Sequence, residues 1–276
     1  MRPLALAALL CVAAAPMTTP VTTPAPGPVR VIGGQGAGCI AGAVRLPDDA
    51  PGMQAIRLSH SSLWGHPDTI AALEQLGAEA HAAGLPDLYM GDISDPRGGP
   101  LRGGHFSHQM GIDADVWLDL TPPHPRLPLA EREDLLPPSM VSADGRGTDP
   151  AHWGPAQATL LRLAATLPHV DRVLVNPAIK RALCRQAGTS QAGGDRAWLR
   201  LIRPWWGHAS HMHIHFACPA GQPACRNDVP PIPAGDGCDA SLDWWFAQLD
   251  APPRPPARPA APQPLPAACR AVFAAP

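Results

Sequence analysis

The chain has 276 residues, enough for one well-formed hydrophobic core or for one domain with an appendage. Its formal net charge of −2 at pH 7 argues against nucleic-acid binding, and against electrostatic attachment to a membrane, as its main role. Lys180 is the only lysine among 21 Lys and Arg residues, and we attribute this bias to genomic base composition.

The N-terminal segment has the pattern of a secretory signal peptide. In residues 1–15, Arg2 precedes an apolar run too short to span a bilayer, and small residues follow it. Residues 16–30 are rich in Pro and Thr and are expected to form an extended linker. No later segment is apolar enough for a transmembrane helix. We therefore expect an exported protein, periplasmic in a Gram-negative cell, that does not insert into the membrane once the signal is cleaved.

Residues 31–250 predict a single α+β domain, in which helices and long loops flank a central antiparallel sheet. Apolar residues in 67–84 recur with the period of an amphipathic helix. Apolar and polar residues alternate in 111–120, which predicts a half-buried strand with Asp113 and Asp115 on its polar face.

Three further elements and a tail follow. Residues 154–167 predict a helix, and the short β-branched segment 170–175 predicts a strand. Asn176 and Pro177 then supply an N-cap and a first-turn residue for a third helix. Residues 251–276 are rich in Pro and are expected to be an extension, tethered to the domain if its cysteine is bridged.

Six cysteines remain once Cys11 is removed with the signal peptide. An even number in an exported chain predicts three disulfides, for which the sequence alone allows fifteen pairings. Cys218 and Cys225 are near enough in sequence to close a small loop. Zinc ligation by thiolates is the alternative, and the absence of a C-x-x-C pair argues against it.

Residues 207–218, GHASHMHIHFAC, contain four of the twelve histidines. Histidine packs poorly in a core because both ring nitrogens need partners, so this density indicates either a site or a solvated cluster that reflects composition alone. If the segment is a strand, His211, His213 and His215 share one face at a spacing of about 6–7 Å. Because Zn–N distances are about 2.0–2.1 Å, one ion can bind only one or two of them and needs other ligands.

A second cluster, GGHFSHQMGIDADVW, can supply such ligands, namely His105, His108, Asp113 and Asp115. A histidine on a loop, an aspartate on the following strand and a histidine from a distant strand can converge on one metal. Zinc suits this donor set, and three protein ligands leave its fourth position open, as in catalytic zinc sites.

Together the two clusters resemble those of the penicillin-insensitive murein endopeptidases, zinc peptidases related to lysostaphin-type enzymes and D-Ala-D-Ala metallopeptidases. The resemblance rests on the motifs RGGHFSHQMGIDAD and RPWWGHASHMH, and on the shorter GHPD, VNPAIK and GDGC. It covers nearly the whole mature chain.

The resemblance implies that His108, Asp115 and His213 bind one zinc ion. It places His211 beside the reacting water, and His208 where related families have a glutamate. One of these two would be the general base and the other would stabilise the tetrahedral transition state. We favour His211 for the stabilising role.

Three other polar residues of the motifs are expected to lie outside the set of ligands and catalytic groups. His105 is expected to contact substrate or support a ligand, or else to be an ordinary surface histidine. Asp113 is either a solvated acid or the hydrogen-bond partner of a ligand. His215 has no counterpart in the family pattern and is expected to be structural or exposed. A second metal ion is not expected, because Gly147 stands where the pattern has a histidine.

The resemblance also implies the disulfides Cys39–Cys269, Cys184–Cys238 and Cys218–Cys225. For function, it implies a zinc endopeptidase that hydrolyses peptidoglycan cross-links between D-alanine and meso-diaminopimelate. The alternatives are a D,D-carboxypeptidase or dipeptidase acting on wall peptides, and a non-catalytic protein that binds zinc or the wall. A serine enzyme of the penicillin-target type is not favoured, because no Ser-x-x-Lys motif ends at Lys180.

Overall fold

The computed structural model describes residues 21–101, 106–120, 123–188, 195–251 and 263–276. In chain order, the helices and strands of these residues are β1 (Arg30–Gly34), β2 (Ala37–Ala41), β3 (Val44–Arg45), β4 (Asp49–Ala50), β5 (Met53–Ala55), β6 (Trp64–Gly65), α1 (Pro67–Ala82), β7 (Leu88–Met90), β8 (Asp113–Trp117), α2 (Pro155–Thr166), β9 (Val170–Val175), α3 (Pro177–Gln186), β10 (Ile202–Pro204), β11 (His211–Phe216), α4 (Asp243–Asp250) and α5 (Cys269–Phe273). Helices and strands are interspersed, which confirms the predicted α+β class. None of the described helices is both long enough and apolar enough to cross a membrane.

The largest sheet of the described chain has seven strands in the order β10-β9-β11-β8-β7-β5-β4. Its middle strands, β9, β11, β8 and β7, pair antiparallel as predicted. At the two sides, β10 runs parallel to β9 and β5 runs parallel to β7, so the sheet as a whole is mixed. Each parallel pair is connected through a helix, α3 or α1, because parallel neighbours need a long crossover.

Side-chain caps mark the starts of α1 and α3, and the cap of α3 is the predicted Asn176. The His66 ring accepts a hydrogen bond from the backbone N–H of Asp68 at 3.1 Å, at the start of α1. The Asn176 side chain accepts one from the N–H of Ala178 at 2.9 Å, at the start of α3. A proline occupies the first turn of α1, α2 and α3, where a missing N–H is harmless.

One face of the sheet forms the hydrophobic core together with α1 and α2. The strand register places Ala114 of β8 and Val173 of β9 on either side of Ile214 of β11, and all three are fully buried. Because side chains alternate along a strand, His213 and His215 project from the opposite face. The core therefore fixes the orientation of the histidines.

Strand β8 differs from its prediction. It is shorter than 111–120, and all five of its residues are buried, so the expectation of a half-buried strand was wrong. Asp113 is completely buried and Asp115 is only 6% exposed. Burial of these carboxylates is possible because the histidines of β11 lie next to them and supply opposite charge and hydrogen bonds.

The disulfides are Cys39–Cys269, Cys184–Cys238 and Cys218–Cys225, the pairs that the family resemblance implied. The first one ties α5 to β2. Buried Arg97 adds hydrogen bonds from its guanidinium to four backbone carbonyls near the C-terminus, those of Val272, Phe273, Ala275 and Pro276. The last residues of the chain are thus held both covalently and by hydrogen bonds.

The predicted signal peptide, residues 1–15, lies outside the described residues. The predicted linker 16–30 is described from residue 21 onward, without helix, and strand β1 begins at its last residue. In this segment Ala25 is buried, and its carbonyl accepts a hydrogen bond from the N–H of Gly42 at 2.8 Å. Ala25 therefore anchors the described part of the linker to the domain, while most of its other residues are exposed.

Candidate metal centre

Three buried side chains from distant parts of the sequence, His108, Asp115 and His213, meet on the polar face of the sheet. His213 Nδ1 lies 3.0 Å from Asp115 Oδ1, and His108 Nε2 lies 3.4 Å from the same oxygen. One potential ligand atom from each residue lies within 4.8 Å of the other two. These residues, called the His–Asp–His group below, are the ones for which the family resemblance implied a metal-binding role.

The sheet positions two members of the group, and a strained loop positions the third. The register of β8 and β11 pairs Asp115 with His213, so that the two side chains are neighbours on one face. His108 precedes β8 and has a left-handed backbone, with φ at 66°. Its Nδ1–H donates to the carbonyl of Ile93 at 3.1 Å, which leaves Nε2 facing Asp115.

The GHPD motif holds this loop in place. The N–H of His66 donates to the carbonyl of Gly111 at 2.8 Å. Gly111 has φ at 67°, and a Cβ atom there would lie 2.9 Å from the Cα of Gly65. Glycine at position 111 is therefore required both by the backbone conformation and by the close approach of the two segments.

Asp113 supports the His–Asp–His group from the next position along β8. Its Oδ1 accepts hydrogen bonds from His213 Nε2 at 3.1 Å and from His215 Nδ1 at 2.8 Å. Burial alone would raise the pKa of Asp113, but the charge of His215 and the hydrogen bonds from both histidines hold it well below its usual value. The carboxylate stays ionised and fixes the His213 ring with Nδ1 toward Asp115.

Two of the alternatives left open by the sequence are excluded by this arrangement. Asp113 is not a solvated acid, and His215 is not exposed, since only 1% of its surface is accessible. Asp113 Oδ2 and His215 Nε2 have no hydrogen-bond partner among the described residues. Alternation along β8 and β11 predicts which side chains share a face, but it does not reveal what covers that face.

His211 and His208 lie beside the group and are more exposed. His211 Nε2 is 3.8 Å from Asp115 Oδ2, and 27% of its side-chain surface is accessible. The His208 ring centroid lies 5.1 Å from that of His211 and 5.9 Å from that of His213. All five metal-site and catalytic positions implied by the resemblance are therefore close together.

The backbone fixes both the position and the tautomer of His208. This residue has a left-handed backbone, with φ at 46°, and its carbonyl accepts a hydrogen bond from the N–H of Asn176 at 3.0 Å. Its Nδ1 lies 3.0 Å from the carbonyl of Trp206, which can only accept, so Nδ1 carries the proton and Nε2 carries the lone pair. Burial and the neighbouring His211 and His213 lower the pKa of His208 to about 4.

A cavity of about 760 Å³ opens above these side chains, and two arginines that the sequence reasoning missed line its wall. The register places Leu174 between His213 and Arg203, and it pairs Arg172 with His215, so both arginines are on the polar face. Arg172 is paired with Asp171 at 2.6 Å. No carboxylate of the described residues lies within ion-pair distance of Arg203. Arg203 belongs to the RPWW motif, but its place beside the histidines depends on the strand order.

Two further sets of polar residues are His105 and the acids on either side of Gly147. His105 lies outside the described residues. Asp149 accepts a hydrogen bond from the N–H of Ala151 at 2.9 Å, and its backbone carbonyl accepts one from the N–H of His152 at 3.1 Å. Asp144 accepts hydrogen bonds from Ser142 and Arg146 within a turn. These acids therefore stabilise the local loop.

Comparison with known proteins identifies the relatives of this chain. A profile of the family described as penicillin-insensitive murein endopeptidase matches residues 31–274. Proteins of that name from Klebsiella pneumoniae subsp. pneumoniae and Yersinia pestis bv. Antiqua are 41% and 39% identical, over 98% of this chain and 96% and 94% of their own lengths. The protein of that name from Haemophilus influenzae is 43% identical, over 83% of this chain and 76% of its own length.

Proposed function

Because the chain belongs to the family of penicillin-insensitive murein endopeptidases, we propose that it hydrolyses peptidoglycan cross-links at the bond between D-alanine and meso-diaminopimelate. The observation that carries the proposal is the His–Asp–His group, which lies buried in the wall of a large cavity with two more accessible histidines beside it. Such a substrate places the protein outside the cytoplasmic membrane, in keeping with the N-terminal signal pattern.

The donor atoms of the group fit a single zinc ion. Ligand atoms at about 2.0–2.2 Å from a tetrahedral zinc ion lie roughly 3.3–3.6 Å from one another. Asp115 Oδ1 lies 3.4 Å from His108 Nε2 and 3.0 Å from His213 Nδ1, near this edge length, and one ligand atom from each residue lies within 4.8 Å of the other two. When bound, zinc would polarise the scissile carbonyl and lower the pKa of a water molecule toward about 7.

The chain's own residues prepare the group for a metal ion. Ile93 and Asp113 each accept an N–H from a ligand ring, so that Nε2 of His108 and Nδ1 of His213 face Asp115. Burial alone would lower the pKa of His213, but the hydrogen bonds that its ring donates to Asp113 and Asp115 raise it. Metal binding would displace the proton on Nδ1.

His208 is the better candidate for the general base. Its Nδ1–H is engaged by the Trp206 carbonyl, and its lowered pKa keeps the ring neutral at pH 7, with an unprotonated Nε2. His211 Nε2 lies 3.8 Å from Asp115 Oδ2, beside the His–Asp–His group. There His211 can donate a hydrogen bond to the charge that develops on the scissile carbonyl oxygen.

The cationic wall formed by Arg172 and Arg203 suits a peptide that carries free carboxylates. Burial and the charge of Arg172 lower the pKa of Arg203, so a substrate anion beside Arg203 would relieve both effects. In the proposed cross-link, the carboxylate nearest to the scissile carbonyl is on the carbon that bears the amide nitrogen. We propose that Arg172 and Arg203 bind that carboxylate.

The test is product analysis with the purified mature protein. Cross-linked muropeptide dimers should be converted to monomers, without release of terminal D-alanine from pentapeptide monomers. Zinc should be found at one equivalent, EDTA should abolish activity, and added zinc should restore it. Benzylpenicillin should have no effect, because it acylates a serine nucleophile that the proposed mechanism lacks.

Different outcomes would contradict different parts of the proposal. Release of terminal D-alanine without cleavage of dimers would indicate a D,D-carboxypeptidase. Zinc binding without turnover of either substrate would indicate a non-catalytic binding protein. Inhibition by penicillin together with indifference to EDTA would exclude the zinc mechanism.

A further inference from the structure

Four of the eight tryptophans form one exposed cluster beside the cavity. Trp245 lies at its centre, with ring centroids 6.2 Å from Trp205, 5.5 Å from Trp206 and 5.2 Å from Trp244. Trp205 and Trp244 are each 56% exposed, and Trp206 is 38% exposed. These four residues are called the tryptophan platform below.

The platform is continuous with the candidate active site. Trp205 and Trp245 line the same cavity as the His–Asp–His group, whereas Trp206 and Trp244 do not line it. Trp206 is also the residue whose carbonyl binds His208. A polymer that enters the cavity could therefore extend along the platform without leaving the protein surface.

The backbone that carries the platform is well anchored. The N–H of Trp205 donates to the carbonyl of Val175 at 2.8 Å, and the Asn176 side chain donates to the carbonyl of Gly207 at 3.1 Å. Trp244 and Trp245 lie on α4, which buries Phe246 against Ala178 of α3. The exposed rings are thus held in place before any ligand arrives, which lowers the entropy lost on binding.

We infer that the tryptophan platform binds the glycan strand to which the scissile peptide is attached. This inference rests on the proposed function, since murein consists of glycan strands with peptide side chains. Contiguous exposed apolar surface marks a binding site more often than it marks chance. The hydrophobic C–H faces of pyranose rings stack on flat indole faces, and indole N–H groups can donate to sugar hydroxyls.

The distribution of charge favours sugar over peptide as the occupant. The platform offers indole rings and N–H donors but no charged group, and the glycan is uncharged where its lactyl carboxylates are converted to amides by the peptides. The free carboxylates of the peptide match Arg172 and Arg203, which line the cavity instead. The peptide would therefore bind in the cavity, and the glycan would bind on the tryptophan platform.

The experiment compares Trp244→Ala with the wild type on substrates with and without sugar. Trp244 is chosen because it does not line the cavity. On intact sacculi the initial rate at low substrate should fall about tenfold, the effect of losing roughly 1.4 kcal/mol of stacking. On cross-linked peptide dimers freed of sugar by an amidase, kcat/KM should stay within about twofold. Co-sedimentation with peptide-free glycan strands should fall with the rate on sacculi.

The matched control is Leu136→Ala, which removes another exposed apolar side chain, 86% accessible and outside the cavity lining. It should leave all three measurements unchanged. The inference would be overturned if Trp244→Ala lowered the cleavage rate equally on sacculi and on peptide dimers, or if its sedimentation with glycan strands were unchanged. A loss of self-association in Trp244→Ala without loss of glycan binding would also overturn it, because the platform would then serve a second copy of the chain.

The glycan-strand measurement also separates this inference from the proposed function. Suppose that the wild type cleaves neither substrate but sediments with glycan strands, and that Trp244→Ala does not sediment with them. The proposed activity would then be wrong, and glycan binding by the tryptophan platform would be supported. If the wild type cleaves cross-linked dimers but does not sediment with glycan strands, the proposed activity would be supported and glycan binding by the tryptophan platform would be wrong.

Discussion

Strands β8 and β11 bury side chains on both faces of their paired segment, and the two faces use opposite kinds of side chain. One face is apolar and consists of fully buried side chains, those of Ala114, Val116, Met212 and Ile214. The other face carries ionisable side chains that are at most 6% exposed, those of Asp113, Asp115, His213 and His215. The apolar face gains stability in proportion to the area that it buries. The polar face is stable only while each charge retains its partner.

This difference separates the consequences of mutation. On the apolar face, truncation should lower the free energy of unfolding by an amount that follows the lost volume, and a metal ion should bind as before. On the polar face, truncation leaves a buried charge without its partner and also alters the donor set. Function and stability are therefore coupled on one side of the sheet only.

The largest effect is expected for His213→Ala. This change removes a proposed ligand and leaves Asp113 and Asp115 without a hydrogen-bond donor that they share. Bound zinc and turnover should fall together, with turnover reduced by well over ~10²-fold. Metal analysis of the folded variant, checked by circular dichroism, measures the first quantity. If His215→Ala empties the site while His213→Ala keeps its zinc, the assignment must move two residues along the strand.

A smaller effect, confined to turnover, is expected for His211→Ala. The His–Asp–His group remains complete, so the zinc content should stay near one equivalent. Turnover of cross-linked dimers should fall by about 10²-fold, the usual scale for a group that donates to a developing charge. Zinc loss in proportion to activity loss would show that His211 is a ligand, contrary to this prediction.

Asp113→Asn should weaken the metal site without removing a ligand. The uncharged amide no longer holds His213 and His215 by charge, so zinc affinity measured by competition with a chelator should fall about 10–100-fold. His215→Ala is the matched comparison on the same contact. It should lower the free energy of unfolding by roughly 1–3 kcal/mol, because Asp113 loses a buried donor, while one zinc equivalent is retained. Equal zinc affinity in Asp113→Asn and the wild type would show that Asp113 serves stability alone.

The sequence was most informative where one local rule decides the outcome. The N-cap and proline at Asn176 and Pro177 predicted the start of α3, and alternation predicted that His211, His213 and His215 share a face. The family resemblance, rather than spacing alone, pointed to His108, Asp115 and His213 among a larger set of candidates. Each of these predictions depends on residues that are near one another in sequence, or on a pattern already known from a family.

Other features depend on contacts between remote segments and could not be predicted. Arg203 reaches the polar face only because β10 lies next to β9, and no local pattern in RPWW specifies that neighbour. The burial of Asp113 depends on two histidines about a hundred residues away. Alternation predicted a polar face for β8, and only the strand order shows that this face is covered.

Lys180 shows how a buried charge behaves without a carboxylate bonded to it, and it predicts a pH dependence. The side chain is fully buried, and its Nζ donates to the carbonyls of Leu199 at 2.8 Å and Asp236 at 2.6 Å. Burial, reinforced by the charge of Arg203, lowers the pKa of Lys180 to about 7.

Between pH 7 and the ordinary lysine pKa of about 10.4, the unfolded chain holds a proton at Lys180 that the folded chain lacks. The free energy of unfolding should therefore rise with pH in this range, by at most about 1.4 kcal/mol per pH unit. Chemical denaturation of the wild type and of Lys180→Met at pH 7, 8 and 9 isolates this contribution as the difference in slope. A slope that is the same in both proteins would show that Lys180 stays protonated in the folded state.

The smallest effect is expected for Ile214→Val, the apolar counterpart of the histidine variants. Ile214 lies between His213 and His215 on β11 but faces the core, between Ala114 and Val173. Losing one methylene should lower the free energy of unfolding by about 0.5–1.5 kcal/mol, because the packed core cannot fully close the space. Zinc content and turnover should match the wild type, because the strand register and the polar face are unchanged. A loss of zinc in Ile214→Val beyond the fraction unfolded would mean that core packing transmits strain to the ligands, and that the two faces are not independent.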